Sequence, residues 1–236
     1  RGEISIESLK KVIGNYNSAE LAFENGVEKS RGKYIKFHGD DDFFDVDKDN
    51  VVFTSGATEA NNLAIQGAIR KAKKDNNDRK KIFCSAVEHK CVLDCVLNSK
   101  NEGFYPIIIP VNADGQLDIN FLKNNIDEKT LLVSIMSVNN ETGIKIELSE
   151  VIELCHNMGI IFHSDYSQSL FTKDNLSLND LRIDAISISG HKIYGPKGIG
   201  ALITRDFPTN LFSPISFVTC ELRYILILFC FSSKKI

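Results

Sequence analysis

Short apolar runs alternate with amphipathic stretches along the chain. The apolar runs predict strands at 82–85, 105–109, 131–137, 160–163, 184–188 and 199–204, after a first strand that begins at residue 51. Apolar positions at helical spacing predict helices at about 18–34, from the first strand to about residue 74, and at 90–99, 118–126 and 147–157. This alternation predicts an α/β fold with a mostly parallel central sheet and helices on both faces.

Composition excludes several classes of function. The chain has 236 residues, of which 43% are hydrophobic, and this is enough for one substantial core. With 28 basic and 31 acidic residues the net charge is −3, so no basic excess favours a nucleic-acid partner. The six cysteines show neither a disulfide framework nor paired zinc-binding spacings, so we expect free thiols and no metal site.

One lysine stands between an apolar strand and a glycine-rich turn. Lys192 closes the sequence Ser189-Gly190-His191-Lys192. We expect an amine crowded by a histidine and faced by serine hydroxyls to be partly desolvated and nucleophilic toward an aldehyde. Enzymes bind pyridoxal phosphate by this chemistry. The alternative is a solvated lysine in a glycine-rich hairpin.

A carboxylate follows the apolar run at 160–163. Asp165 comes two residues after the end of this run, and Gln168 follows three residues later. Pyridoxal phosphate withdraws electrons while its ring nitrogen is protonated, and an aspartate beside that nitrogen keeps the proton there. Gln168 is then placed to reach the phenolic oxygen of the ring. The alternative role for Asp165 is a helix N-cap or a turn.

The turn after the first strand has the composition of a phosphate-binding turn. Ser55, Gly56 and Ala57 are small enough for a phosphate to approach the free N–H groups at the start of a helix, and Thr58 adds a hydroxyl. The alternative is an ordinary helix start in which Thr58 is the cap. No glycine pattern typical of nucleotide phosphates follows a strand here.

Two further strands end in polar residues. His89 follows the strand at 82–85, where an imidazole can stack on a flat ring and move a proton. Asn140 lies in the segment 139–143, which follows the strand at 131–137. The alternatives are a structural histidine and a simple turn. Ligands of open α/β sheets bind at the carboxyl ends of the strands, so we expect all five features to form one site.

Together these segments resemble the cysteine desulfurases of the NifS/IscS type. The resemblance rests on residues 55–64, 88–90, 138–143 and 189–198 and on Asp165 with Gln168, and it extends from about residue 14 to residue 205. It implies a fold-type I, class V pyridoxal-phosphate enzyme that converts L-cysteine to L-alanine and transfers sulfur to a protein thiol for iron–sulfur cluster assembly and thiolation. It also implies a homodimer, iron–sulfur scaffold or sulfur-acceptor partners, and a mitochondrial or cytoplasmic location.

The resemblance assigns a role to each matching residue. It implies that Lys192 is the catalytic Schiff-base lysine and that His89 stacks on the ring and assists proton transfer. The implied cofactor contacts are Ala57, Thr58, His89, Asn140, Asp165, Gln168, Ser189, His191 and Lys192. Among these, Ala57, Thr58, Ser189 and His191 line the phosphate cup. Tyr166 departs from the small residue that the family has after the aspartate, and it either crowds the cofactor or points away.

Parts of the family pattern are absent from this sequence. The smaller C-terminal domain, with its persulfide-forming cysteine and its substrate-binding arginine, has no counterpart. We therefore expect a fragment in which residues 1–205 form the cofactor-binding large domain, with an incomplete start, and 206–236 form a divergent apolar tail. Cys220 and Cys230 lie in that tail without the family's loop context, so we expect the 236-residue chain alone to be inactive.

The tail and the function both leave alternatives. The unbroken apolar run at 224–231 has eight residues, whereas a membrane span needs about 20, so we expect no membrane association. Three other functions stay open. They are a selenocysteine lyase, a non-catalytic pyridoxal-phosphate-binding scaffold, and another fold-type I enzyme such as an aminotransferase.

Overall fold

The computed structural model describes residues 46, 48–169, 178–193, 197–206 and 208–213. The predicted helix at 18–34 lies outside the described residues, as does most of the predicted tail at 206–236, including Cys220 and Cys230. No helix within the described ranges has both the length and the hydrophobicity to cross a membrane.

Seven strands form one sheet in the described part of the chain. They are β1 (Val51–Thr54), β2 (Lys81–Ser85), β3 (Tyr105–Ile109), β4 (Thr130–Ser134), β5 (Ile161–Asp165), β6 (Ala185–Ser189) and β7 (Gly200–Thr204). Their order across the sheet is β1-β7-β6-β5-β4-β2-β3. Strand β7 is antiparallel to both of its neighbours, and all other neighbouring strands pair in parallel. The predicted mostly parallel sheet is confirmed.

Helices follow most of the strands. They are α1 (Ala57–Lys74), α2 (Lys90–Asn98), α3 (Ile119–Asn125), α4 (Ser149–Asn157), α5 (Leu178–Leu181) and α6 (Pro208–Leu211), with 3₁₀ turns at Lys48–Asn50, Ser99–Glu102 and Gly190–Ile193. The single-turn helices α5 and α6 were not predicted, because four residues are too few to show a helical period. For the four longer helices, each predicted end lies within two residues of the observed one. For α1 only the C-terminal end had a predicted residue number.

Successive residues of a strand enter different cores. In β2, Phe83 packs into a cluster with side chains of α3 and α4, whereas Ile82 and Cys84 pack into a second cluster with α1 and α2. Strand β4 divides in the same way, with Val133 in the first cluster and Leu132 in the second. This alternation is the two-residue period of a strand buried on both faces. The prediction of helices on both faces is confirmed.

Three strand ends differ from the predictions because polar groups control them. Strand β4 ends at Ser134 rather than at 137, and the N–H of Met136 donates to the Glu88 carboxylate at 2.8 Å. Strand β5 continues to Asp165, which pairs with Ser187 of β6. Strand β6 likewise continues to Ser189. Sequence periodicity identifies apolar positions, so it cannot show where a hydrogen-bonded polar residue extends a strand.

A close glycine contact places the start of α1 against β7. A Cβ atom on Gly200 would lie 2.6 Å from the backbone of Gly56 and 2.7 Å from the carbonyl oxygen of Ile188. Strands β1 and β7 pair directly at this point, with Thr54 opposite Gly200. The turn that leads into α1 therefore needs glycine at position 200.

We predict that Gly200→Ala lowers the free energy of unfolding by about 1–3 kcal/mol, the range for overpacking a close contact. Urea unfolding of the two proteins measures the difference. Gly103→Ala is the matched control, because Gly103 has a φ of 84° but no atom within 4 Å of the added methyl group. That control gives the cost of a methyl group on a left-handed backbone without a contact, whereas position 200 has no positive φ and reports the contact. A Gly200→Ala protein as stable as the unchanged protein would show that the contact is not tight.

Candidate active site

The five predicted features meet at one edge of the sheet. Strands β1, β2, β4, β5 and β6 all run in the same direction, so their carboxyl ends share that edge. Across the sheet, the turn after β1 comes first and is followed by the ends of β6, β5, β4 and β2. The prediction that these segments lie together is confirmed, whereas the functional role of each residue stays a prediction.

The start of α1 carries no side-chain cap. Gly56 is the N-cap residue, and no side chain accepts a hydrogen bond from the first turn in that role. The alternative prediction that Thr58 is the cap is therefore wrong, and Thr58 is exposed. The Glu59 carboxylate instead accepts from the N–H of Ser55 at 2.6 Å and from its hydroxyl at 2.7 Å. An uncapped helix start with Ala57 as its first residue leaves N–H groups for an anion.

Ser189 lies against this turn and holds a neighbour in place. Its side chain is buried, and its Oγ atom is 3.9 Å from the position of a Cβ on Gly56. The same Oγ is 2.9 Å from Nδ1 of His191. His191 and Lys192 follow in a 3₁₀ turn, and both are exposed. Lys192 is exposed among the described residues, and the expectation that its amine is partly desolvated in the site stays a prediction.

Asp165 is a buried carboxylate at the end of β5. Its Oδ2 atom accepts from Nδ2 of Asn61 on α1 at 2.7 Å, and its Oδ1 accepts from the N–H of Ser167 at 2.9 Å. The bond from Ser167 is a turn contact, which is the alternative role that the sequence predicted for Asp165. A carboxylate has about four acceptor positions, so these two bonds leave capacity for a further donor.

His89 is both a helix cap and an exposed imidazole. Its Nδ1 accepts from the N–H of Cys91 at 3.2 Å, which caps α2, and lies 3.0 Å from the Cys91 thiol. The imidazole is exposed at the sheet edge, where it is accessible to a ligand. The structural alternative and the predicted role are thus compatible, because capping occupies one ring nitrogen and leaves the other.

The loop after β4 is held by Asn139 rather than by Asn140. The Oδ1 atom of Asn139 accepts from the N–H groups of Glu141 and Thr142 at 3.0 and 2.8 Å, and its Nδ2 donates to the carbonyl of Val87 at 2.9 Å. Asn140 is exposed, as is the predicted cofactor contact Gln168. The buried Asn139 therefore fixes the loop and leaves Asn140 at the edge.

Tyr166 points away from the predicted cofactor site. Its side chain is buried in the cluster that α3 and α4 cover, with Leu178 and Ile183, whereas Asp165 contacts α1 on the other face. Burial raises the pKa of Tyr166 to about 12. Of the two predicted possibilities, the one in which the phenol turns away from the ring is confirmed.

Three site residues were missed by sequence reasoning, namely Asn61, Cys91 and Glu88. Asn61 did have a signal, because it is a polar residue within the buried stripe of α1, four positions before the buried Ile65. Cys91 had none, since a half-buried cysteine reads as a small apolar residue. Glu88 also had none, because a strand-end glutamate is ordinarily exposed.

Glu88 is a buried carboxyl group that joins two strand ends. Its Oε1 accepts from the Ser85 hydroxyl and from the N–H of Met136, both at 2.8 Å. Burial, with a smaller contribution from the charge of Asp165, raises the pKa of Glu88 to about 8. Its Oε2 is buried and has no hydrogen-bond partner among the described residues. A neutral, protonated acid fits this environment better than a carboxylate.

The family model for class-V aminotransferases matches residues 26–221. The chain belongs to the class-V aminotransferase family. Cysteine desulfurase IscS of Rickettsia bellii is 43% identical over 207 residues, covering 86% of this chain and 48% of the relative. The chain thus spans about half the length of the curated relatives it matches. The predicted resemblance to desulfurases of the IscS type is confirmed.

Two solved structures have a similar fold. A structure of SspA in complex with cysteine has a TM-score of 0.69 and 32% identity, covering 89% of this chain and 60% of that one. DndA from Streptomyces lividans has a TM-score of 0.61 and 29% identity, covering 90% and 59%. The predicted fold-type I architecture of the large domain is confirmed.

Pyridoxal phosphate, the cofactor of the class-V family, fits the described edge. A Cβ atom on Gly56 would meet only the Ser189 hydroxyl, at 3.9 Å, so the turn has open space beside an uncapped helix start that suits a phosphate. The buried Asp165 carboxylate has acceptor capacity for a ring N–H. Within the described ranges, no cluster of three or more His, Cys, Asp or Glu side chains could hold a metal ion.

We predict that the Glu88 carboxyl makes stability fall as the pH rises from 6.5 to 8. Folded Glu88 keeps its proton up to about pH 8, whereas the unfolded side chain loses it near 4.5, so the folded state binds more protons in between. One such group gives at most about 1.4 kcal/mol per pH unit. Buried His163, whose pKa is lowered to about 4, is half protonated in the unfolded state at pH 6.5, so it adds an opposing slope that fades as the pH approaches 8 and is the same in a Glu88 variant.

Glu88→Gln tests this assignment, because glutamine copies the neutral acid in shape and cannot ionise. We expect urea unfolding at pH 6.5, 7.25 and 8 to show a smaller pH dependence for Glu88→Gln than for the unchanged protein. Glu102→Gln, at an exposed ion pair with Lys73, is the control and should keep the slope. Equal slopes for Glu88→Gln and the unchanged protein would mean that Glu88 is ionised when folded.

Proposed function

We propose that the protein containing this chain is a pyridoxal-phosphate-dependent cysteine desulfurase. The reaction converts L-cysteine and a protein thiol to L-alanine and a protein persulfide. The observation that carries the proposal is the buried Asp165 carboxylate, which Asn61 holds at the same sheet edge as the α1 start, the Lys192 turn and His89. The name of the Rickettsia relative and the cysteine in the SspA complex support cysteine as the substrate.

Different residues of the site bind different parts of the cofactor. The N–H groups of Ala57 and Thr58, with Ser189 and His191, bind the phosphate. Asp165 holds the proton on the ring nitrogen. Gln168 and Asn140 bind the polar edge of the ring. When bound, pyridoxal phosphate supplies an electron sink that stabilises negative charge at the substrate Cα.

Lys192 and His89 have the covalent and proton-transfer roles. Lys192 would hold the cofactor through its amine, and a free Nζ would take the proton from the substrate Cα. The His89 imidazole covers the ring and assists proton transfer through the nitrogen that does not cap α2. The sulfur acceptor is a thiol, since a persulfide forms only by attack of a thiolate on the substrate sulfur.

The proposal extends to the assembly and its partners. We infer a homodimer that passes sulfur to iron–sulfur scaffold or other acceptor proteins, in the cytoplasm or in mitochondria. The IscS name of the relative supports sulfur acceptors of this kind. Residues 1–205 act as the cofactor-binding domain. The cofactor site of that domain is the sheet edge formed by the carboxyl ends of β1, β5 and β6.

We predict that the protein releases alanine and sulfide in equal amounts from L-cysteine when pyridoxal phosphate and a reductant are present. Lys192→Ala should abolish this release, because the amine that bonds the cofactor is lost. Borohydride reduction followed by peptide mass mapping should place the cofactor on Lys192, with the exposed Lys197→Ala as a control that retains both activity and label. A label on another lysine would refute the site. Amine exchange with a keto acid in place of sulfide release would indicate an aminotransferase.

We predict that Asp165→Asn keeps the cofactor attached but lowers turnover by at least about a hundredfold, the scale of a lost preorganised electrostatic contact. Visible absorbance of the bound cofactor and alanine release separate the two effects. Asp184→Asn is the control, because Asp184 is a half-buried carboxylate at the opposite edge of the sheet, paired with Arg205. We expect that control to lose stability and to keep turnover per bound cofactor. Normal turnover in Asp165→Asn would mean that another group faces the ring nitrogen.

A further inference from the structure

The Cys91 thiol lies between two residues of the candidate site. Cys91 is in the first turn of α2 and is half-buried. Its Sγ atom is 3.0 Å from Nδ1 of His89 and 3.3 Å from Nδ2 of Asn61. Asn61 in turn donates to Asp165. One thiol therefore connects the imidazole at the end of β2 with the carboxylate at the end of β5.

The directions of these hydrogen bonds follow from the groups involved. The backbone N–H of Cys91 can only donate, and it points to Nδ1 of His89 at 3.2 Å. Nδ1 therefore carries no proton, and the neutral imidazole has its proton on Nε2. In the thiol contact Nδ1 can therefore only accept, and the thiol and the backbone N–H share its lone pair.

The amide of Asn61 completes the chain in one direction. Its Nδ2 atom has two protons, one directed to Asp165 and the other to the Cys91 sulfur. Reversing the amide would place Oδ1 against the carboxylate, so the orientation is fixed. Asn61 is fully buried, and its Oδ1 has no hydrogen-bond partner among the described residues. The orientation of the Asn61 side chain is therefore set by the two hydrogen bonds that its Nδ2 donates.

The protonation state of the thiol agrees with this direction. Burial raises the pKa of Cys91, and hydrogen bonds from Asn61 and Thr58 only partly oppose it. A protonated thiol can donate to an imidazole but is a poor nucleophile. The contact thus suits a positioning role better than a sulfur-carrying one.

We propose that Cys91 and Asn61 are positioning residues that orient the His89 imidazole, with Nδ1 as the acceptor and Nε2 turned toward the site. Their chain of hydrogen bonds runs from Asp165 through Asn61 and Cys91 to His89. The catalytic consequence rests on the proposed function, because it concerns the imidazole that covers the cofactor. The Nε2 proton then faces the site, and the ring cannot rotate without breaking the thiol contact.

Two substitutions at position 91 separate positioning from packing. Cys91→Val keeps an apolar side chain and the backbone N–H bond to Nδ1 but removes the two contacts of the thiol, whereas Cys91→Ser keeps a side-chain donor and acceptor. Cys95→Val is the matched control, because Cys95 lies one turn later on α2 and receives a similar amide contact, from Gln66 at 3.5 Å, away from His89.

The first measurement needs no catalysis. Nitrogen-15 NMR of the cofactor-free protein, with His89 assigned by its absence in His89→Gln, reports the protonation of each ring nitrogen. We expect Nδ1 of His89 to be unprotonated in the unchanged protein, to shift downfield in Cys91→Val, and to return toward its original position in Cys91→Ser. A protonated Nδ1 in the unchanged protein would overturn the proposal, and that observation needs no folded variant.

The second measurement is turnover. We expect Cys91→Val to lower kcat for cysteine by about fivefold, the scale of one hydrogen bond, with little change in KM and with recovery in Cys91→Ser. A Cys91→Val protein with unchanged kcat and Nδ1 signal, or an equal loss in Cys95→Val, would refute the positioning role. If cysteine is not turned over at all, the proposed function fails, whereas the NMR result still decides the hydrogen-bond chain.

Discussion

The hydrogen bond from Asn61 to Asp165 is the contact on which the geometry of the site depends. A carboxylate buried at the end of β5 loses its hydration and needs donors in return, and Asn61 supplies one of them at 2.7 Å. Asn61 lies five residues after Gly56 on a rigid helix, which corresponds to a rise of about 7.5 Å. The same bond therefore fixes the distance between the phosphate-binding turn and the carboxylate. A ligand with an anionic group at one end and a basic nitrogen at the other fits that spacing.

The two-sided sheet explains why one face carries the chemistry. His163 and Asp165 alternate with Phe162 and Tyr166 along β5, so the polar pair faces α1 and the aromatic pair faces the opposite core. His163 bridges Ser134 at 2.8 Å and Ser187 at 2.9 Å, and burial lowers its pKa to about 4. This bridge across three strands is thus neutral at physiological pH. It satisfies buried polar groups beneath Asp165 without placing a positive charge there.

The sequence predicted the fold and the edge of the site but not the contacts within it. Apolar runs and helical spacing were sufficient for the α/β architecture, because five of the seven described strands are mostly buried and the long helices each have an apolar face. The strand-end position of Asp165 and His89 was likewise visible. The roles of Asn61 and Cys91 were not, since they depend on hydrogen bonds between residues 30 and 104 positions apart. Exposure of Lys192 was also unpredictable, because it depends on which segments cover the turn.

Two buried carboxyl groups near the same edge have opposite tasks. Glu88 sits where burial favours the neutral acid, and the negative charge of Asp165 adds to that preference. A neutral Glu88 can brace the ends of β2 and β4 through Ser85 and Met136 without competing for a cation. Of these two acids, Asp165 is then the one whose charge can pair with a protonated ring nitrogen. The different roles of the two acids follow from their environments. The Asp165 carboxylate accepts two hydrogen bonds and can accept a third, whereas Oε2 of Glu88 has no hydrogen-bond partner among the described residues.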